Sequence, residues 1–158
     1  MWVTEQEQAL LAERNVKVMH CPGSNLKLGS GIAPVVEMRR LGISVSLGAD
    51  GAACNNRLDM FDEMRLAATL QAVRKAPGAL PARDVVWMAT REGARALGLE
   101  ADIGSIEVGK KADLVLLDGD PLTDIRNVSH IAGVVVRGKL VTEREIERIV
   151  SSHKRATD

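Results

Sequence analysis

With 158 residues, 46% of them hydrophobic and 27% charged, the chain has the make-up of a soluble globular domain or part of one. Its 21 basic and 21 acidic residues cancel, and Trp2, Phe61 and Trp87 are its only aromatic side chains, which leaves no electrostatic case for nucleic acid or an anionic membrane and no stacking platforms for single strands. No apolar run reaches the ~18 residues of a membrane span, the start MWVTEQEQ is too acidic for a signal peptide, and Cys21 and Cys54, far apart and in no CxxC pattern, suggest a reducing compartment, the cytoplasm.

Thr4 to Arg14 predicts a helix opened by a capping box, Thr4 with Glu7 or the adjacent acid. Val16 to Met19 predicts a short strand ending at His20. The segment His20-Cys21-Pro22-Gly23-Ser24-Asn25 then reads as a loop, and Leu26 to Ile32 as irregular chain. Pro34 suits the first turn of a helix that runs to Leu41 and stops at Gly42. Ile43 to Leu47 alternates apolar and small polar residues, as a buried strand does, and runs straight into Gly48-Ala49-Asp50-Gly51. Leu58 to Lys75 and Ala82 to Leu97 predict two long helices, each serving as outer structural layer. The apolar face of the second would be Val85, Val86, Met88, Ala89, Ala94 and Leu97, with Trp87 packing against its neighbours.

From Ile103 the pattern is β. Ile103 to Gly109 predicts a short strand and turn, Ala112 to Leu117 a strand, and Asp118-Gly119-Asp120-Pro121 a turn. Ile131 to Val136 and Leu140-Val141 predict a hairpin about Arg137-Gly138-Lys139. Thr142 to Val150 closes as a helix capped by Thr142 and Glu145, with Ser151 to Asp158 a frayed tail. His130 and His153 read as surface residues.

Two strand ends therefore carry chemical groups, His20 and Asp50, one α/β unit apart. Neighbouring parallel strands would bring both to the same end, the end where α/β folds place their chemistry. Imidazole and carboxylate suit a divalent metal, or a base and its partner around a hydrolytic water. The same Asp also fits a plain Asx-turn, and one Asp with one His is too few for a complete zinc site.

Five segments make the pattern more specific: HCPGSNLKLGSGIAPV at 20–35, SLGADGAACNN at 46–56, LDMFDEMRLAATLQ at 58–71, MATREGARALGL at 88–99 and IGSIEVGKKADLVLLD at 103–118. In this order they resemble the C-terminal part of amidohydrolase-superfamily enzymes, in the branch of S-adenosylhomocysteine, guanine and 8-oxoguanine deaminases and triazine hydrolases. The resemblance implies an α/β fold: the last two βα units of a TIM-type (β/α)8 barrel over residues 1–102, a segment of a small β-sandwich domain over 103–141, and a C-terminal helix and tail over 142–158. It implies hydrolysis of carbon–nitrogen bonds other than peptide bonds, such as deamination of an aminated heterocycle or nucleoside, with Zn2+ as the metal and Fe2+ the alternative.

On this resemblance Asp50 is a metal ligand and proton carrier, and His20 contacts the substrate or the attacking hydroxide. Ser24, Asn25 and Asn55 would shape the substrate pocket. The family's other histidine ligands are absent, so the chain reads as a fragment with incomplete metal ligation and open strand edges that favour homo-oligomers. The alternatives are a non-catalytic, self-associating fragment and an amidohydrolase acting on an amide or cyclic amide, for which the turn Asp120-Pro121-Leu122-Thr123-Asp124-Ile125 is the motive.

Overall fold

The computed structural model describes residues 2–120, 123 and 125–154. They fall into two units, Met1–Ser105 and Ile106–Asp158. The first opens with helix α1 (Glu5–Glu13), where the Thr4 hydroxyl accepts the Glu7 N–H and the Glu7 carboxylate takes the Thr4 N–H at 2.8 Å. This is the capping box read from the sequence, and it satisfies two donors that a helix start otherwise leaves free.

Strand β1 (Val18–His20) pairs in parallel with β2 (Val45–Leu47), setting His20 opposite Leu47. Between them run two short helices, α2 (Pro22–Lys27) and α3 (Val35–Arg40). Helix α2 replaces the loop expected there. Pro22 fits the first turn, where its missing N–H costs nothing, and contacts with a later helix hold residues of poor helix propensity in place. The end of α3 follows expectation: Gly42 turns the chain with φ +78°, a conformation open to glycine.

All three residues of β2 are buried, Ser46 included, because helices α3, α4 (Met60–Arg74), α5 (Ala82–Ala89) and α6 (Arg91–Ala96) all pack on it. The Ser46 hydroxyl is satisfied by donating to the Val18 carbonyl at 3.2 Å. Val35, Met38, Ile43, Val45, Ala67 and Met88 form the centre of this core.

The single helix expected over Ala82 to Leu97 is two. At Thr90 (φ −123°, ψ −85°) the N–H reaches back to Trp87 and the hydroxyl donates to the Val86 carbonyl at 2.7 Å, so the ladder breaks. The break rotates the later turn. Val85, Met88 and Ala94 face inward, whereas Val86 and Leu97 of the expected apolar face are exposed. Trp87 sits at the surface with two guanidinium groups over its ring, Arg83 at 4.9 Å and Arg91 at 5.6 Å from the ring centre.

In the second unit β3 (Leu114–Leu117), β4 (Ile131–Val136) and β5 (Lys139–Thr142) form an antiparallel sheet in that order. Arg137 (φ +51°) and Gly138 (φ +79°) make the two-residue hairpin turn, and Asp113 accepts the Arg137 N–H at 2.7 Å. The strand expected at Ile103 to Gly109 does not form; the segment is a series of turns, with Gly104 and Gly109 both at positive φ. The closing helix α7 (Glu143–Lys154) runs past the predicted end at Val150, and the Thr142–Glu145 cap is present. His130 is exposed as expected. Pro121, Leu122, Asp124, the His153 side chain and residues 155–158 lie outside what is described.

Candidate active site

The parallel pairing of β1 with β2 does what the spacing anticipated. His20 ends one strand, and Asp50 follows the end of the other by three residues. The ladder continues one step further, with the Gly48 N–H donating to the His20 carbonyl at 3.0 Å. His20 is 1% exposed, and neither ring nitrogen has a hydrogen-bond partner. Burial lowers its pKa from 6.5 to about 4, so the ring is neutral at pH 7.

Asp50 lies at the surface in a left-handed backbone conformation, φ +63°. Its carboxylate accepts the Ser24 hydroxyl at 2.7 Å and the Gly51 N–H at 2.7 Å. These bonds, led by Ser24, hold its pKa below the ordinary carboxylate value and keep it a base. Ser24 itself is buried on α2, so its hydroxyl is committed to Asp50. Asn25, half-buried on the same helix, stands outside this network.

Asn55 is buried and fully engaged. Its amide donates to the Ala49 carbonyl at 2.8 Å and to Glu63 Oε1 at 2.7 Å, and its oxygen takes the Arg57 N–H at 3.0 Å. Glu63, 2% exposed on α4, also takes the Gly23 N–H at 2.9 Å. Sequence reasoning missed Glu63 and treated α4 as purely structural. The available signal was a carboxylate four residues before Ala67, on the helix's buried line. Cys21 is no nucleophile here: burial, then the charges of Asp50 and Glu63, push its thiol up.

The arrangement offers one oriented, ionised carboxylate near one sealed, neutral imidazole. Among the described residues no group of three or more His, Cys, Asp or Glu side chains could hold a metal ion. Asp50 can contribute one ligand and no more, so the residues present do not make a metal site by themselves. A depression of about 180 Å³ behind the loop, lined by Lys27, Asn56, Arg57 and Glu63 among others, excludes Asp50 and His20. It falls short of the ~300 Å³ at which ligand pockets begin.

Residues 1–141 match the amidohydrolase family. The chain belongs to the amidohydrolase family. It is 46% identical over 155 residues to the 5-methylthioadenosine/S-adenosylhomocysteine deaminase of Moorella thermoacetica, covering 90% of this chain and 36% of that one. It is 55% identical over 119 residues to the 5'-deoxyadenosine deaminase of Methanothermobacter thermautotrophicus, covering 75% and 27%. Among solved structures, this amidohydrolase chain superposes on a zinc-bound adenosine deaminase from Xanthomonas campestris with TM-score 0.81 at 39% identity, covering 97% of this chain and 39% of the other. It also superposes on a zinc complex of the atrazine chlorohydrolase from Arthrobacter aurescens, with TM-score 0.80 at 31% identity, covering 98% and 39%. The amidohydrolase chain thus spans about a third of the length of these curated relatives. Its fold is α/β and resembles these amidohydrolases.

Proposed function

We propose that this chain carries the Asp50–His20 part of a metal-dependent hydrolase that deaminates an aminated heterocycle, with an adenine nucleoside as the leading substrate class. One observation carries the reading: an ionised Asp and an unpartnered, neutral His end neighbouring parallel strands in a chain of this family. The deaminase names of the relatives support the substrate class. They do not favour the non-catalytic alternative or the amide-cleaving one. The likeness to the chlorohydrolase keeps displacement of chloride second.

In this reading residues 1–102 are the last two βα units of a (β/α)8 barrel and residues 103–141 are part of a small β-sandwich. Asp50 takes a proton from the water that attacks the amine-bearing ring carbon. As the C–N bond breaks, the same proton passes to the departing amine, which leaves as ammonia. Buried and neutral, His20 offers a ring N–H or a lone pair to the substrate or the attacking oxygen. Ser24 and Asn55 shape the pocket by holding the Asp50 loop, and Asn25 lines its edge. The metal, zinc as in the relatives or else Fe2+, would take Asp50 as one ligand and its other ligands from outside this chain. The proposal takes the enzyme to act on small molecules in the cytoplasm, a location drawn from the cysteine pattern of the sequence.

The test is a chimera in which this chain replaces its matching segment in the Moorella deaminase. The chimera should deaminate adenine nucleosides, and the 158-residue chain alone should not. A folded, zinc-loaded chimera without activity would overturn the reading. Zinc titrated into the chain alone should show weak binding that Asp50→Ala weakens further. Tight stoichiometric binding that survives the substitution would remove Asp50 from the ligand set.

Assembly is the second expectation. Among the described residues β1 and β2 pair only with each other, so each keeps an open edge. A backbone group buried there without a partner costs about 1–3 kcal/mol, and pairing edges between copies avoids that. Light scattering over a dilution series should show mass rising with concentration. A monomer at every concentration would mean that the chain covers its own edges.

A further inference from the structure

Helix α4 turns Glu63, Ala67 and Gln71 inward along one line. Polar side chains on a buried line need partners. Gln71 is only half satisfied: its amide donates to the Ala33 carbonyl at 2.9 Å, while its buried oxygen has no partner. Glu63 is connected differently. One oxygen takes the Gly23 N–H at 2.9 Å and the other takes the Asn55 amide at 2.7 Å. Each partner leads by one further step to a different side of Asp50. Gly23 precedes Ser24, whose hydroxyl donates to Asp50 at 2.7 Å. Asn55 spends its second amide hydrogen on the carbonyl of Ala49, the residue before Asp50, at 2.8 Å.

We infer that Glu63 is a positioning residue for Asp50, holding the hydroxyl that orients its carboxylate and the backbone that presents it. The inference rests on the reading of Asp50 as the reacting group and deepens it. The packing supports it independently. A Cβ on Gly23 would collide with the Glu63 carboxylate and come within 2.9 Å of the Asn55 amide, so the glycine is what lets α2 approach this closely. The Asn55 amide is also fixed in sense, because its oxygen already accepts the Arg57 N–H at 3.0 Å. Lys27 grips the same stretch of loop on either side of Asn55, donating to the Ala53 carbonyl at 2.8 Å and to Asn56 at 2.6 Å.

A carboxylate has two acceptor oxygens, and both are used. Glutamine keeps the shape but sets its own N–H2 against either the Gly23 N–H or the Asn55 amide, so one link must open. Amide hydrogen exchange read by NMR on the whole chain tests this. In Glu63→Gln the Gly23, Gly51, Cys54 and Asn55 amides should exchange about tenfold faster or more, as local opening without global unfolding does. The Asn55 side-chain N–H2 signals should shift with them. Gln71→Met, which cuts a bond of the same helix away from the loop, should leave those four amides within about twofold of the parent relative to the rest of the unit, whatever the shift in its urea midpoint. Asn55→Ala cuts the link from the loop side and should free Gly51 and Cys54 in the same way, which decides the matter if Glu63→Gln does not fold. Loop amides that are unchanged in both variants, or that speed up only in step with every other amide, would overturn the inference. None of these measurements uses turnover. An inactive chimera would therefore sink the deaminase reading alone, and an unresponsive loop would sink the role of Glu63 alone.

Discussion

Asp50→Asn in the Moorella chimera should lower kcat for adenine nucleosides by about 10²–10⁴-fold, the usual worth of a positioned proton-transfer group. Asparagine keeps the size of the side chain but cannot take the proton of the attacking water. It also spoils the geometry. The carboxylate accepts from both Ser24 and Gly51, at 2.7 Å each, and an amide has one oxygen for two donors. Ser24→Ala is the informative companion. It leaves the proton acceptor in place and removes one orienting bond, so its loss should be much smaller than that of Asp50→Asn. Comparable losses in the two variants would mean that Ser24 acts on substrate directly. Activity retained by Asp50→Asn would mean that the carboxylate carries no proton, and the assignment would fall.

The second large effect is on stability against pH. Native His20 has a pKa near 4, and an exposed histidine in the unfolded chain titrates near 6.5. Above 6.5 the ring is neutral in both states and makes no pH-dependent contribution. Between 6.5 and 4 the unfolded chain binds a proton that the folded chain refuses, so stability falls as the pH falls. Below about 4 both states are protonated and the loss levels off. The drop across the window from this one group is about 3 kcal/mol. Carboxylates contribute acid lability too, so the measurement is a difference. Urea midpoints of the parent and of His20→Leu should diverge as the pH falls from 7 to 4, the variant keeping stability that the parent loses, because leucine removes both the titration and two unpartnered nitrogens. At pH 7 the variant should be as stable as the parent or more so, since replacing an unsatisfied buried polar group with an apolar one of similar size is close to neutral. A difference that stays flat with pH would show that the ring takes up its proton without cost.

What could be read from the sequence, and what could not, divides along the range of the interactions. The Thr4–Glu7 box, the stop at Gly42 and the Arg137-Gly138 turn depend on neighbours within four residues, and each formed where the residues indicated. The juxtaposition of His20 with the Asp50 loop was legible because strand–helix–strand spacing sets it. Helix α2 was not. Its residues read as loop by propensity and are held helical by a partner forty positions away, Glu63. The break at Thr90 was hidden as well, because an otherwise regular apolar pattern continues through it. Ser24 and Asn55 were singled out as pocket residues. That their polar atoms are spent inside the protein could be known only from what lies opposite them.

The left-handed turn at Asp50 carries a consequence for how such a chain changes over generations. With φ at +63°, position 50 is one that glycine would occupy with less strain, and asparagine is the usual second choice. Selection for a sturdier fold alone would therefore favour glycine here once Ser24 is replaced as well, since its buried hydroxyl would otherwise be left unpaired, and would discard the ionised group the loop presents. With Asp50 as the proton carrier proposed above, selection for turnover pulls the other way, and the strained aspartate marks the point where the two pressures meet. A library varied at positions 50 and 24 and sorted only for thermal resistance should accordingly be enriched in glycine at 50 paired with alanine at 24, and the enriched members should be those that no longer turn over substrate when built into the chimera.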